Sequence, residues 1–341
     1  MMTKSKLAIV ILNWNGKAFL HRFLPVLLQN CPDYASIVVA DNASTDGSLE
    51  MLSRTFEQIR IIKNTQNYGF SKGYNEALKQ VEADYYCLLN SDIEVTSGWV
   101  QPIIQHMEQD TCIAAMQPKL RSYNQQSYFE YAGASGGFID KYGYPFCRGR
   151  LFEVVEEDRG QYDQEMEVFW ATGAALFVRS DVYHQAGGLD DDFFAHMEEI
   201  DFCWRVKNMG YKVMVCPQSV VYHVGGGTLP KNNSRKTFLN FRNNLFLLLK
   251  NLPAQRLFVT FFVRFFMDNL AAFVFLARGN WQDFFAVYKA FFSFARGIKN
   301  MKNKRLRIQN FDAYKDTCKT SIVFMHYILR KKYFDGKKFR S

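Results

Sequence analysis

The chain has few cysteines, and they are poorly placed for cross-links. Seven occur in 341 residues, at Cys31, Cys87, Cys112, Cys147, Cys203, Cys216 and Cys318, with no CxxC spacing among them. That argues against a zinc knuckle or a paired disulfide framework and favours a reducing cytosol. No GxGxxG follows the first apolar run, which argues against a dinucleotide oxidoreductase. Clean apolar runs near 20 residues are also missing, because Lys250, Arg256, Arg264, Asp268 and Arg278 interrupt the Phe- and Leu-rich segments 245–249, 257–263 and 265–276. No bilayer-spanning segment is expected from that pattern. At the N-terminus, Asn13-Trp14-Asn15 cuts off the apolar run Leu7–Leu12 well short of a signal peptide's core, so no export is expected. Internal repeats and low-complexity segments are absent as well.

Acidic residues are scarce in one region only. Residues 231–341 hold five Asp and Glu against 23 Lys and Arg, a net +18, whereas residues 1–230 hold 28 against 19, a net −9. Such a split points to two jobs, an acidic part able to hold a cation and a basic part facing something anionic. The expected division is a catalytic domain over 1–230 and a basic, aromatic-rich helical extension over 231–341, with the boundary near Leu229-Pro230. With 48% hydrophobic residues, the chain can bury a sizeable core.

The acidic part alternates short apolar runs with helix-length segments. Leu7–Leu12, Ile37–Ala40, Ile59–Ile62 and Tyr85–Leu89 read as strands; Lys17–Gln29, Asp46–Phe56 and Ser71–Val81 read as helices. That rhythm predicts an α/β fold with a mainly parallel sheet covered on both faces. Ser97 is placed to cap a helix running to Glu108. The Gly- and Tyr-rich stretch Tyr123–Arg150 suits hairpins and a mobile loop. Strand character returns over Val168–Val178, then a helix over Glu198–Met209 and two strands over Lys212–Cys216 and Val220–His223.

Strand ends are where α/β enzymes collect chemistry. Asp92 closes the run Leu88-Leu89-Asn90-Ser91-Asp92, and His223 precedes the triple glycine Gly225-Gly226-Gly227. A carboxylate and an imidazole suit a hard-to-borderline divalent cation, although an Asx-turn and a satisfied histidine are the plainer readings. Glu198-Glu199-Ile200-Asp201 opens a helix, where acids complement the dipole for structural reasons alone. Here Phe193, Phe194, Met197, Ile200, Phe202 and Trp204 surround them with apolar bulk, an environment that raises carboxylate pKa values and suits a general base. Asp41, last residue of the second strand, can accept hydrogen bonds from a ligand lying across the sheet. Asn67-Tyr68-Gly69-Phe70, with Gly73 and Asn75 beyond it, lets backbone approach a nucleotide closely.

Taken together and in order, Ile11-Leu12-Asn13-Trp14-Asn15-Gly16, Asp41 to Ser48, Asn67 to Phe70, Leu89 to Asp92, Thr172 to Ala175 and Phe193 to Cys203 resemble a family 2 glycosyltransferase of the GT-A fold, in its rhamnosyltransferase-like branch. The resemblance covers roughly residues 6–250. It implies a GT-A nucleotide-sugar-binding fold plus a C-terminal helical extension. It also implies inverting transfer of a sugar, rhamnose being this branch's candidate, from a nucleotide-diphosphate donor to a glycan or lipid-linked glycan acceptor in cell-surface polysaccharide synthesis. Donor contacts would come from Asn13, Asn15, Asp41, Asn67, Gly69, Phe70, Asn75, Asn90 and Ser91, and acceptor contacts from Trp170, Thr172, Gly173 and Ala174. Asn90-Ser91-Asp92 stands where the family's metal-binding DXD motif lies, so Asp92 and His223 would hold Mg or Mn. Glu199 takes the base position, with Glu198 and Asp201 as further candidates. Asn90 and Glu199 both depart from the family's usual residues, which keeps a catalytically silent sugar-nucleotide or glycan-binding module as the alternative.

For the C-terminal third, composition alone speaks. Aromatic, apolar helices beside Arg296, Lys299, Lys302, Lys304, Arg305 and Arg307 suit peripheral attachment to an anionic membrane surface, on the cytoplasmic face, or equally a homodimer interface. No nucleic-acid partner is expected, because no RNA- or DNA-binding motif accompanies the basic residues.

Overall fold

Aliphatic and aromatic residues buried on both faces specify the central strands, and amphipathic helices cover them. The computed structural model describes residues 5–225, 233–308 and 310–334. The first half runs β1 (Ser5–Asn13), α1 (Lys17–Gln29), β2 (Ala35–Asp41), α2 (Ser48–Thr55), β3 (Arg60–Lys63), α3 (Gly69–Leu78), β4 (Ala83–Asn90), β5 (Ile93–Val95), α4 (Gln101–Gln109) and β6 (Ile113–Ser122). Short strands β7 (Gly137–Ile139), β8 (Pro145–Cys147), β9 (Arg150–Leu151), β10 (Val154–Val155) and β11 (Met166–Glu167) follow. After them come β12 (Ala175–Arg179), α5 (Ser180–Gln185), α6 (Glu198–Asn208), β13 (Lys212–His223), α7 (Ser234–Asn251), α8 (Ala254–Ala277) and α9 (Trp281–Arg305).

Nine strands form the main sheet, in the order β11-β13-β6-β12-β4-β1-β2-β3, with β5 paired to β13. The pairs β1–β2, β1–β4, β2–β3 and β6–β13 are parallel, and β12 enters antiparallel between β4 and β6. Strands β7 to β10 make a separate antiparallel sheet, the hairpins expected of the Gly- and Tyr-rich stretch. One core cluster lies on each side of the main sheet; Val10, Leu88 and Leu176 serve one, and Ile9, Cys87 and Phe177 the other. This is the period-2 alternation of a strand buried on both faces.

Several local expectations need correcting. Lys212–Cys216 and Val220–His223 form one strand, β13, interrupted by a shift of register against β6. Residues 168–174 are largely irregular, and only the end of that apolar run pairs as β12. Ser97 does not cap α4, whose N-cap position is Val100. The expected boundary at Leu229-Pro230, and Gly226 and Gly227, lie outside the described residues.

The C-terminal helices divide between two roles. Phe246, Leu247, Leu248, Leu249 and Leu252, at the end of α7 and just beyond, belong to the same core cluster as the α/β sheet. Helix α8, by contrast, buries Thr260, Arg264, Asp268 and Ala272, an i, i+4 stripe, while Phe258, Phe262, Phe265, Phe266, Leu270 and Phe273 are exposed. Arg264 and Asp268 pair with each other at 3.0 Å, Tyr144 donates to Asp268 at 3.0 Å, and Arg264 donates to Asn244 of α7. By length and composition alone, α8 could cross a membrane, contrary to the reading of its sequence as too interrupted. Its charged pair is buried, against Tyr144 and Asn244.

Candidate active site

The carboxyl ends of β1, β2 and β4 open into a cavity of about 280 Å³. In open α/β sheets this is the end where ligands bind. A larger open hollow, about 760 Å³, lies at the amino ends of β1 and β2, lined by Ser5, Ala35, Ser36 and Arg60, and it gathers none of the candidate residues. The carboxyl-end cavity collects Asn67, Gly69, Phe70, Asn90, Ser91, Asp92, Thr172, Gly173, Ala174, Glu198, Glu199 and His223. These come from segments more than 150 residues apart in sequence.

Asp92 and His223 meet on its wall. His223 Nε2 lies 3.1 Å from Asp92 Oδ1, and the opposite ring nitrogen, Nδ1, lies 3.3 Å from Glu130 Oε2. All three side chains are almost fully buried. Register explains the first meeting: His223 on β13 pairs with Ile93 on β5, one residue past Asp92. Burial opposes charge on the imidazole, but the Glu130 and Asp92 carboxylates prevail and push His223 up to about 10. Burial likewise opposes charge on Asp92, and the facing His223 holds it below the usual carboxylate range. As a donor set, one carboxylate and one imidazole supply two positions of a divalent ion's shell and leave the others to phosphate oxygens and water. Glu130, on the far ring nitrogen, is in the place of the carboxylate that commonly orients a ligand histidine.

The acids of α6, Glu198 and Glu199, line the same cavity. Glu199 Oε2 and Glu198 Oε2 are sealed from solvent without a hydrogen-bond partner among the described residues. Burial pushes Glu199 up to about 7, and burial together with the charge of Glu199 pushes Glu198 well above its usual range. Gly173 gives the backbone room beside them, since a Cβ there would lie 3.2 Å from Phe70 and 3.7 Å from Glu199 Cβ. Two cations from the start of α7, Arg235 and Lys236, complete the lining with Leu12, Trp14, Asn42, Ala132 and the Phe194–His196 loop.

Other predicted site residues lie outside the cavity wall. Asp41 accepts hydrogen bonds from Asn13 Nδ2 and Ser44 N, each at 2.9 Å, and thereby binds the β1 and β2 loops together. Asn15 accepts from Thr45 N at 2.7 Å across the same junction. Asn75 is held by Leu189 and Tyr183, and Trp170 donates to Phe138 O at 2.9 Å within the core. Asp201 turns away from the cavity into ion pairs with Lys250 and Arg205, both at 2.8 Å. Sequence reasoning missed Glu130, Asn42, His196, Arg235 and Lys236. Asn42 and His196 sat inside motifs already singled out, whereas nothing near Glu130 marked it.

Comparison with known proteins finds similarity to glycosyltransferases. Residues 8–158 match the family described as glycosyl transferase family 2. The chain is 23% identical over 232 residues to the N-acetylglucosaminyl-diphospho-decaprenol L-rhamnosyltransferase of Mycobacterium tuberculosis, an overlap of 64% of this chain and 75% of that protein. It is 21% identical over 243 residues to the low-salt glycan biosynthesis hexosyltransferase Agl10 of Haloferax volcanii, covering 70% and 73%. Among solved structures, GalNAc-T7 with UDP, GalNAc and Mn2+ superposes with a TM-score of 0.62 at 13% identity, over 97% of this chain and 57% of that one. The mannosyltransferase PcManGT of Pyrobaculum calidifontis, with GDP-Man and Mn2+, gives 0.52 at 13% identity, over 91% and 89%. At such identity these two structures speak for the fold alone. With the motifs, the mixed sheet and the match over residues 8–158 in agreement, the chain is a glycosyltransferase with a GT-A-like fold, similar to family 2 over that span.

Proposed function

We propose that this enzyme is an inverting transferase that moves a sugar, rhamnose being the first candidate, from a nucleotide-diphosphate donor to a hydroxyl of a glycan or lipid-linked glycan. One observation carries the reading: a single cavity holds Glu199, whose buried Oε2 has no hydrogen-bond partner among the described residues, together with the Asp92–His223 pair. Asn67, Gly69, Phe70, Asn90 and Ser91 border the donor end, and Thr172, Gly173 and Ala174 border the acceptor end. Asp92 and His223 would hold a Mg2+ or Mn2+ ion, which when bound neutralises charge gathering on the leaving diphosphate. Glu199 accepts the acceptor hydroxyl's proton while that oxygen bonds to the anomeric carbon and the bond to the diphosphate oxygen breaks. Attack from the face opposite the leaving group inverts the centre.

The same reading puts the enzyme peripherally on the cytoplasmic face of a membrane. Its support is the reversed polarity of α8, with a charged pair inside and phenylalanines outside, beside the basic α9. Such a face offers apolar insertion and attraction to anionic lipid together.

The test is Glu199→Gln. Turnover should fall about 10²–10⁴-fold, the scale of a general base, with donor affinity kept within about two-fold. Turnover at the wild-type rate would remove Glu199 from the base position. Donor binding unaffected by excess chelator would remove the cation from Asp92 and His223.

A further inference from the structure

The segment Phe193-Phe194-Ala195-His196-Met197 leads into Glu198 and Glu199 without a single glycine. Even so, Phe194, His196 and Met197 adopt φ of 64°, 70° and 72°. Left-handed backbone at bulky residues costs on the order of 1 kcal/mol or more each and persists only where its surroundings hold it. The surroundings here are unusually specific. Asn243, fully buried in α7, donates through Nδ2 to Phe193 O at 2.9 Å, Ala195 O at 2.8 Å and His196 O at 2.7 Å. Its neighbour Arg242 donates to Asp192 O at 3.0 Å and Phe193 O at 3.1 Å. From the opposite side, the start of α3 takes the remaining carbonyl, with Phe70 N 2.6 Å from Phe194 O. Four successive carbonyls, 193 to 196, are therefore engaged.

The ends of the segment are tied to the same helix. Lys250 Nζ lies 2.6 Å from Asp190 and 2.8 Å from Asp201, bridging the residues before and after the turn. Asn251 donates to the second oxygen of Asp201 at 2.8 Å. A buried asparagine is ordinarily a satisfied core group, and that plain role would leave its bonds scattered. All three recorded Asn243 Nδ2 bonds go to this one strained turn. We propose that Asn243, assisted by Arg242 and Lys250, is a positioning residue that fixes the 193–197 backbone so that Glu199 faces the reacting hydroxyl. The basic C-terminal region, on this view, begins with a working part of the catalytic unit. The inference rests on the reading of Glu199 as the base.

Its experiment separates the two. Asn243→Ala, Glu199→Gln and wild type are compared for turnover of the sugar nucleotide that the wild type uses, and for affinity toward its nucleoside diphosphate with Mn2+. Asn243→Ala should lower kcat about 10- to 100-fold, the cost of displacing a catalytic group by about 1 Å. Affinity for the nucleoside diphosphate should stay within about two-fold, because the recorded Asn243 Nδ2 bonds go to Phe193, Ala195 and His196 and to no donor-end residue, and the Phe70 N bond to Phe194 O does not involve its side chain. A purely structural asparagine would lower binding and turnover together, or leave both unchanged in the folded fraction, and either result overturns the proposal. If Glu199→Gln turns over like wild type, the base assignment fails instead. Should Asn243→Ala not fold, Arg242→Ala removes the bonds to Asp192 O and Phe193 O and those to Asn243 Oδ1, while the Asn243 amide stays in place. It should lower kcat about 3- to 10-fold by the same displacement at unchanged affinity, and an unchanged kcat there also overturns the proposal.

Discussion

Glu199 and Asp201 stand two residues apart at the start of α6, one at the cavity and the other against α7, and their electrostatic states are opposite. Two helical steps turn a side chain through about 200°, so neighbours at that spacing face different parts of the molecule. On the cavity side, burial is opposed only by backbone hydrogen bonds, and Glu199 is pushed up to about 7. On the α7 side, burial is outweighed by Lys250 and Arg205, and Asp201 is held below the usual range. The same desolvation thus leaves a readily protonated carboxyl in one place and a paired anion in the other. What separates them is the partner that the tertiary structure delivers.

The strongest way to break this comparison is Asp201→Asn. It leaves Lys250 and Arg205 without their shared anion, and the loss should be about 3 kcal/mol of stability, as when one member of a buried pair is removed. Urea unfolding measures it. A stability equal to wild type would mean that the pairing to α7 does not hold the region together.

The pH dependence sharpens the contrast, because the two acids act with opposite sign. Folding raises Glu199 from its ordinary 4.5 to about 7. Between those values the folded chain keeps a proton that the unfolded chain has released. Its contribution to stability therefore falls as pH rises from 4.5 to 7, and Glu199→Gln should be more stable than wild type above pH 7. Asp201 contributes stability that is present above its unfolded value of 3.8 and is lost as pH falls through its lower folded value. Turnover should follow Glu199, rising with pH through about 7. An activity limb near 4 would assign the proton transfer to another group.

The smallest expected effects belong to the outer layer, where α8 and α9 face away from the site. Full-length protein should bind vesicles containing anionic lipid and release as salt rises. Arg296→Ala or Lys299→Ala, both on exposed positions of α9, should each weaken binding by about 1 kcal/mol. A chain that ignores such vesicles and dimerises through Phe262, Phe266 and Phe273 would identify a second copy as the occupant of this face.

By itself, the sequence determined the α/β rhythm, the places of β1 to β4 and α1, and the strand-end motifs, because period and turn chemistry are local. It also singled out Asp92, Glu199 and His223, whose neighbours in sequence form motifs. Apart from the family resemblance, which favours Glu199, it could not tell apart the surroundings of Glu198, Glu199 and Asp201, since all three read alike as acids in a first helical turn. Nor could it pair Glu130 with His223, 93 positions apart, or reveal that Asn243 serves a turn 50 residues upstream. Those assignments depend on which buried side chains meet across elements. Composition similarly marked the region after Lys231 as basic and aromatic, but only packing decided that α7 enters the core while α8 presents its phenylalanines outward. A helix carrying an Arg–Asp pair and many phenylalanines can bury either face, and Tyr144 and Asn244 engage the charged pair at the inner face of α8.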